Sequence, residues 1–185
     1  MINAIAFDLG RCLIWENDIE MSSQEEILEK EFGNINSDEE YFAWATKTLS
    51  LSEKEIKSIL KNLWPRLYSL REEWIFEKIL EKYPEMVFAV ASNHISMMRE
   101  SLKHLWILDI CKVVLISWDC GYEKPETWFY QLLIEQLWLL ADEILFIDDI
   151  KENIEGAKKV WLKTIHYSGK NLLSEDILSY LDSMK

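Results

Sequence analysis

The chain of 185 residues carries 20 Lys and Arg against 33 Asp and Glu, a net charge of −13, and 49% of it is hydrophobic. That length suits one well-packed domain or a domain with a modest insertion, and the apolar fraction excludes global disorder. The acidic balance argues against a nucleic-acid backbone or an anionic membrane as the main partner. An anionic substrate would need local positive charge from a metal, a Lys or Arg, or a helix N-terminus.

No apolar run approaches the roughly 20 residues of a membrane span. The first apolar run has no basic region before it and ends in Asp8, so no signal peptide is expected. Three cysteines, Cys12, Cys111 and Cys120, lack metal-ligand spacing and read as small buried apolar residues in a reducing, cytoplasmic setting.

In chain order, MINAIAFDLG opens with a buried-strand run over residues 2–7 that ends in an acid, Asp8, followed by Leu9 and Gly10. A turn region spans 10–17. From 22 to 82 only helical spacing is found. Ser22 with Glu25 forms a capping-box signature, Ser37 opens a second helix, Ser52 a third that Pro65 is expected to end, and 70–83 reads as a fourth.

The pattern then alternates. Strands are predicted at 86–91, 113–116, 144–147 and 164–166, and helices at 95–106, 126–137, 152–161 and 174–181, the last capped by Ser174. Strands alternating with helices predict an α/β fold with a doubly wound parallel sheet. The all-helical block is then an insertion. The expected division is a core of residues 1–14 and 83–185 and a helical cap of residues 15–82.

Ligands bind at the C-terminal strand ends of such sheets. Four predicted strands end in polar groups: Asp8, Ser92-Asn93, Lys124 in YEKP, and Asp148-Asp149. Carboxylates with other oxygen donors bind Mg2+. A Ser hydroxyl, backbone N–H groups and a Lys hold a phosphoryl group, and the remaining Asp attacks it. Each piece has a plain structural alternative: Ser92-Asn93 as a helix cap, Lys124 as a solvated lysine, Asp148-Asp149 as an acidic helix start. Their shared position after strands favours the joint reading.

These strings resemble the haloacid dehalogenase-like hydrolase superfamily: FDLG at 7–10, ASNH at 91–94, GYEKP at 121–125 and FIDDIKENIEGA at 146–157. FDLG and the IDD…NIEGA string look most like its sugar-phosphate phosphatase subgroup, whose members carry a helical cap. The resemblance implies Asp8 as a nucleophile that forms an aspartyl-phosphate, with Ser92 and Asn93 holding phosphate. Lys124 would bridge Asp8 and phosphate. Mg2+ would sit on Asp8, the Gly10 carbonyl, Asp149 and Asp148 (directly or through water), and Asn153 would buttress the acidic loop.

The substrate implied is a small phosphorylated metabolite, a sugar phosphate among them, and the protein a monomer or homodimer. One departure matters. Gly10 stands where the superfamily usually has a second Asp as general acid/base, a term worth roughly a hundredfold to ten-thousandfold. Arg11 reads equally as an anion binder or a solvated loop residue, and His94 as a helix-start residue rather than a ligand. Rival readings are a catalytically weak or inactive phosphate-binding protein, a metal-independent dehalogenase-type hydrolase and, disfavoured by Gly10, a phosphotransferase.

Nine Trp accompany only five Gly. Trp106, Trp138 and Trp161 each follow a predicted helix and precede a strand, where a left-handed glycine is favoured. Trp118 also stands at a position where relatives often carry a small residue. A source that reads UGA as glycine would account for these positions. The nine codons decide it, and UGG at most of them rules the idea out.

Overall fold

The structure is a computed structural model and describes every residue except Gly33, Asn36 and Lys185. Five strands form one parallel sheet in the order β5-β4-β1-β6-β7: β1 (Ala4–Phe7), β4 (Val87–Ser92), β5 (Val113–Ile116), β6 (Ile144–Asp148) and β7 (Lys163–His166). The first strand is central, and the chain winds outward from it on both sides. The crevice at its C-terminal end is therefore the topological switch point.

Strand alternation explains the two cores. Ile5 and Phe7 face one layer with Phe88, Val90, Leu145 and Ile147. Ala4 and Ala6 face the other with Ala89, Ala91 and Phe146. The small alanines let α8 (Thr127–Leu137) and α9 (Lys151–Lys159) pack close through Phe129, Leu133, Ile154 and Ala157. On the opposite face lie α4 (Ile75–Lys82), α5 (Met98–His104) and α10 (Leu173–Ser183). Two single turns, α6 (Ile107–Ile110) and α7 (Ser117–Cys120), flank β5.

Between β1 and β4 the chain forms α1 (Ser23–Glu29), α2 (Asp38–Leu49) and α3 (Glu53–Leu67). Ser22 and Ser52 each complete a capping box, with Glu25 and Glu55 respectively. Gly33 and Asn36 of the expected 15–82 block lie outside the described residues.

Five expectations need correction. The block contains a strand, β3 (Tyr68–Leu70), paired antiparallel with β2 (Ile14–Glu16); three residues are too few for alternation to show. Because Leu70 belongs to β3, the helix expected from 70 begins at Ile75. Pro65 does not end α3, which continues to Leu67 because Leu63, Trp64 and Leu67 are buried, while the carbonyl that Pro65 leaves unpaired belongs to exposed Lys61. The helix expected over 95–106 begins only at Met98.

Ser174 is not a cap either. It lies inside α10, where the Glu72 carboxylate accepts its N–H at 3.0 Å and its hydroxyl at 2.5 Å. A residue 102 positions away therefore caps this helix.

Trp106, Trp138 and Trp161 all adopt left-handed backbone, with φ of 61°, 60° and 70°, and are 70%, 88% and 80% exposed. A bulky residue is strained there, and exposure returns no burial energy. Trp118 lies inside α7 and has no positive φ, so its backbone does not call for glycine. Replacing Trp106, Trp138 and Trp161 together by Gly is expected to stabilise the fold by roughly 2 kcal/mol, the left-handed penalty less the chain entropy of three glycines. Thermal unfolding checks this: a Tm rise of about 4–8 °C is expected at this chain length, and an unchanged or lower Tm overturns the strain argument.

Candidate active site

Asp8 follows β1 directly, and its N–H bonds the Ile147 carbonyl at 2.8 Å, so the sheet still holds the backbone that presents the carboxylate. The chain then turns sharply through Arg11, whose φ is +57°, with Cys12 and Ile14 N–H groups returning to Leu9 O. Asp148 ends β6 beside it and Asp149 follows. One carboxylate oxygen from each of Asp8, Asp148 and Asp149 lies within 4.8 Å of the others.

Lys124 Nζ joins this group, donating to Asp8 Oδ1 at 2.5 Å and Asp148 Oδ2 at 2.7 Å. All three partners of this bridge are buried. The loop that carries Lys124 is held twice. Asn93 clamps its backbone, accepting from Lys124 N and donating to Lys124 O, both at 2.8 Å. Gly156 in α9 lets Pro125 close in, since a Cβ there would lie 2.5 Å from the Pro125 carbonyl oxygen.

Asp148 is saturated: Ile150 N–H donates at 2.8 Å, Asn153 Nδ2 donates to both oxygens at 3.1 and 3.0 Å, and Lys124 completes the set. Asp149 is half-buried, and its carboxylate is met by its own backbone N–H, with no side-chain hydrogen bond to it found among the described residues. Burial pushes the Asp8 carboxyl up to about 6, Lys124 opposes the shift and Asp148 adds to it. The Asp149 carboxyl is also raised, by burial and then by Asp148. Lys124 is held above its ordinary value because the two carboxylates outweigh its desolvation. An all-oxygen donor set with surplus negative charge fits a hard divalent cation.

Ser92, buried, ends β4 next to β1. All eight residues predicted for the site lie along the ends of β1, β4 and β6 and the Lys124 loop, but they do not all act alike. The Asn93 amide is committed to the Lys124 backbone, and Arg11 is exposed at the mouth.

Sequence reasoning missed Arg71. Its Nη1 donates to the Arg11 carbonyl at 2.9 Å and its guanidinium lies 5.1 Å from the Tyr167 ring. It sits 60 residues from Arg11 with no local signal. Two clefts open beside the carboxylates. One, of about 410 Å³, is lined by Gly10, Arg11, Ile14, Glu16, Tyr68 and His94 among others. The second, of about 390 Å³, includes Arg11, Arg71, Asp149 and His166. Cys12 and Cys111 are buried, and burial raises both thiols, Cys111 to about 12.

A family model described as haloacid dehalogenase-like hydrolase matches residues 73–167. A phosphorylated carbohydrates phosphatase of Thermotoga maritima is 26% identical over 125 residues, covering 60% of this chain. The chain spans 57% of that relative's length, just over half. Among solved structures, a family enzyme of Bacteroides thetaiotaomicron in complex with magnesium and inorganic phosphate superposes with a TM-score of 0.67 at 17% identity, over 92% of this chain and 96% of that one. A protein of Porphyromonas gingivalis described as a predicted hydrolase of the haloacid dehalogenase-like family gives 0.66 at 19% identity, over 98% of both. At such identity these structures speak for the fold alone.

Proposed function

The chain belongs to the haloacid dehalogenase-like hydrolase family, and from that premise we propose that it is a Mg2+-dependent phosphomonoester hydrolase for a small phosphorylated metabolite, a sugar phosphate among them. The observation that carries the reading is the buried Lys124 bridge between Asp8 and Asp148, with Asp149 open beside it. The magnesium complex and the phosphatase name belong to similar proteins and support the reading by likeness.

In this reading Asp8, the Gly10 carbonyl and Asp149 hold Mg2+, and Asp148, already saturated, acts through its bonds to Lys124 and Asn153. When bound, the metal supplies charge neutralisation at the phosphoryl oxygens. Asp8 attacks phosphorus, and the scissile P–O pair leaves on the alcohol oxygen. Lys124, the Ser92 hydroxyl and the Asn93 backbone N–H hold the phosphoryl oxygens as their charge grows. Water then attacks phosphorus, releasing Asp8 and phosphate. The block of residues 15–82 serves as a cap that brings Glu16 and Tyr68 to the cleft and limits water during the first step.

Phosphate release from a panel of phosphorylated sugars and nucleotides, with Mg2+ and with EDTA, tests this. Release that needs Mg2+ is expected. Hydrolysis that persists in EDTA favours metal-independent dehalogenase-type chemistry. A folded, Mg2+-binding protein that releases phosphate from no substrate overturns the proposal in favour of phosphate binding alone.

A further inference from the structure

Gly10 offers no side chain to the alcohol oxygen as it leaves phosphorus. We propose that His94 takes that place, donating a hydrogen bond from Nε2 to the leaving-group oxygen. This rests on the hydrolase reading above and names the residue that completes it.

The position follows from the sheet. Strands β1 and β4 pair in parallel with Phe7 opposite Val90. Both strands therefore deliver their following loops, with Gly10 after β1 and His94 after β4, to the same sheet edge. His94 and Gly10 both line the cleft of about 410 Å³, where the non-phosphoryl part of a substrate would lie.

The tautomer follows from the hydrogen bonds. His94 Nδ1 accepts the Ile95 backbone N–H at 2.9 Å, so this nitrogen carries no proton. Aromatic rings flank the imidazole, Trp64 at 5.9 Å and Phe32 at 6.5 Å between centroids. Burial pushes its pKa down to about 4, so the ring is neutral near pH 7. Its single proton is then on Nε2, for which no protein acceptor is found among the described residues.

A neutral imidazole does not deliver its proton; it polarises. Its N–H matches an oxygen that gains the electron pair of the broken P–O bond, and a water-poor cleft strengthens that bond. The leaving oxygen takes its proton from solvent, so no further reactant is needed. The other polar groups of the cleft suit the task less. Glu16 is an exposed carboxylate, an acceptor, Arg11 is exposed at the mouth, and the Tyr68 hydroxyl lies under the Glu16 and Glu29 carboxylates, which repel a neighbouring anionic oxygen.

The test compares leaving groups. p-Nitrophenyl phosphate departs as a stabilised phenolate, whereas glycerol phosphate departs as an alkoxide that needs help. His94→Ala is expected to lower kcat on glycerol phosphate by about 100-fold, the loss typical of one donor at a developing oxyanion. On p-nitrophenyl phosphate the loss should stay within about twofold, and His94→Gln, which keeps a donor, should recover part of the alkyl activity. Inhibition by inorganic phosphate, which has no leaving group, should stay unchanged in both variants and shows that the site is folded. Equal losses on both substrates, or a selective loss in Glu16→Gln or Tyr68→Phe instead, overturns the assignment. Wild-type protein that hydrolyses neither these two substrates nor any phosphorylated sugar or nucleotide overturns the hydrolase reading, and this one with it.

Discussion

Asp8→Asn should abolish phosphate release and yet make the metal-free protein more stable. The first effect is the larger. An amide oxygen is too weak a nucleophile to open the aspartyl-phosphate route, and residues acting as one catalytic unit lose about as much singly as together, so a fall of at least 10³-fold in kcat is expected. The second effect has its own cause. Asp8 is buried within 4.8 Å of two other carboxylates, and its pKa lies at about 6 rather than 3.8.

Between those values the folded chain binds more protons at Asp8 than the unfolded one. Stability from this group therefore falls as pH rises from about 4 through 6 and stays low above. A neutral amide of the same shape keeps Lys124 paired with Asp148 and removes that penalty, a gain of roughly 1–2 kcal/mol at pH 7. Thermal melts in EDTA at pH 5 and pH 7 check it. The gain should be clear at pH 7 and shrink at pH 5. A variant that melts lower at pH 7, or one that still turns over, contradicts the charge and nucleophile assignments respectively.

The core was legible because its signals are local. Apolar runs such as ILFI at 144–147 bound the parallel strands, and an acid, a Ser-Asn pair or a lysine after each strand placed the chemistry at one sheet edge. Capping boxes at Ser22 and Ser52 set two helix starts correctly. What escaped depends on distant partners. Ser174 looks like a cap until Glu72 arrives from 102 residues away. Leu70 fits a helix by spacing and becomes strand only through pairing with Ile14.

Within the site, the resemblance implies Asn93 as a phosphate holder; its side-chain amide is engaged by the Lys124 backbone, 31 residues on, which leaves the backbone N–H for that role. His94 read as an idle helix-start residue because only the folded chain shows its Nδ1 bond and the cleft beyond. The three left-handed Trp are the reverse case. The backbone there follows the helix-to-strand connection, and the residue that the sequence carries conflicts with it.

Lys124→Met should cost both activity and the fold. Lys124 is the one side-chain cation bonded to either buried carboxylate among the described residues, and it bridges both. Removing one partner of a buried ion pair leaves uncompensated charge, typically a loss of about 3–5 kcal/mol. For a chain of this size that corresponds to a Tm fall of about 6–20 °C. Asp148 still keeps Asn153 and the Ile150 N–H, so the damage centres on Asp8.

In the proposed function Mg2+ would give Asp8 a replacement cation and would bind the native state alone. Saturating metal at about 100 times its Kd restores about 2.7 kcal/mol by mass action. The variant should therefore melt far below wild type in EDTA and, in Mg2+, climb much of the way to the Tm that wild type has in EDTA, while wild type gains from the metal as well. Catalysis should not recover with it, because the ammonium that neutralises the phosphoryl oxygens is gone and the metal already has its own share of that charge. A variant whose Tm in EDTA stays within about 1–2 °C of wild type would mean that Asp8 and Asp148 are neutral or solvated in the free protein, against the burial on which the whole site depends.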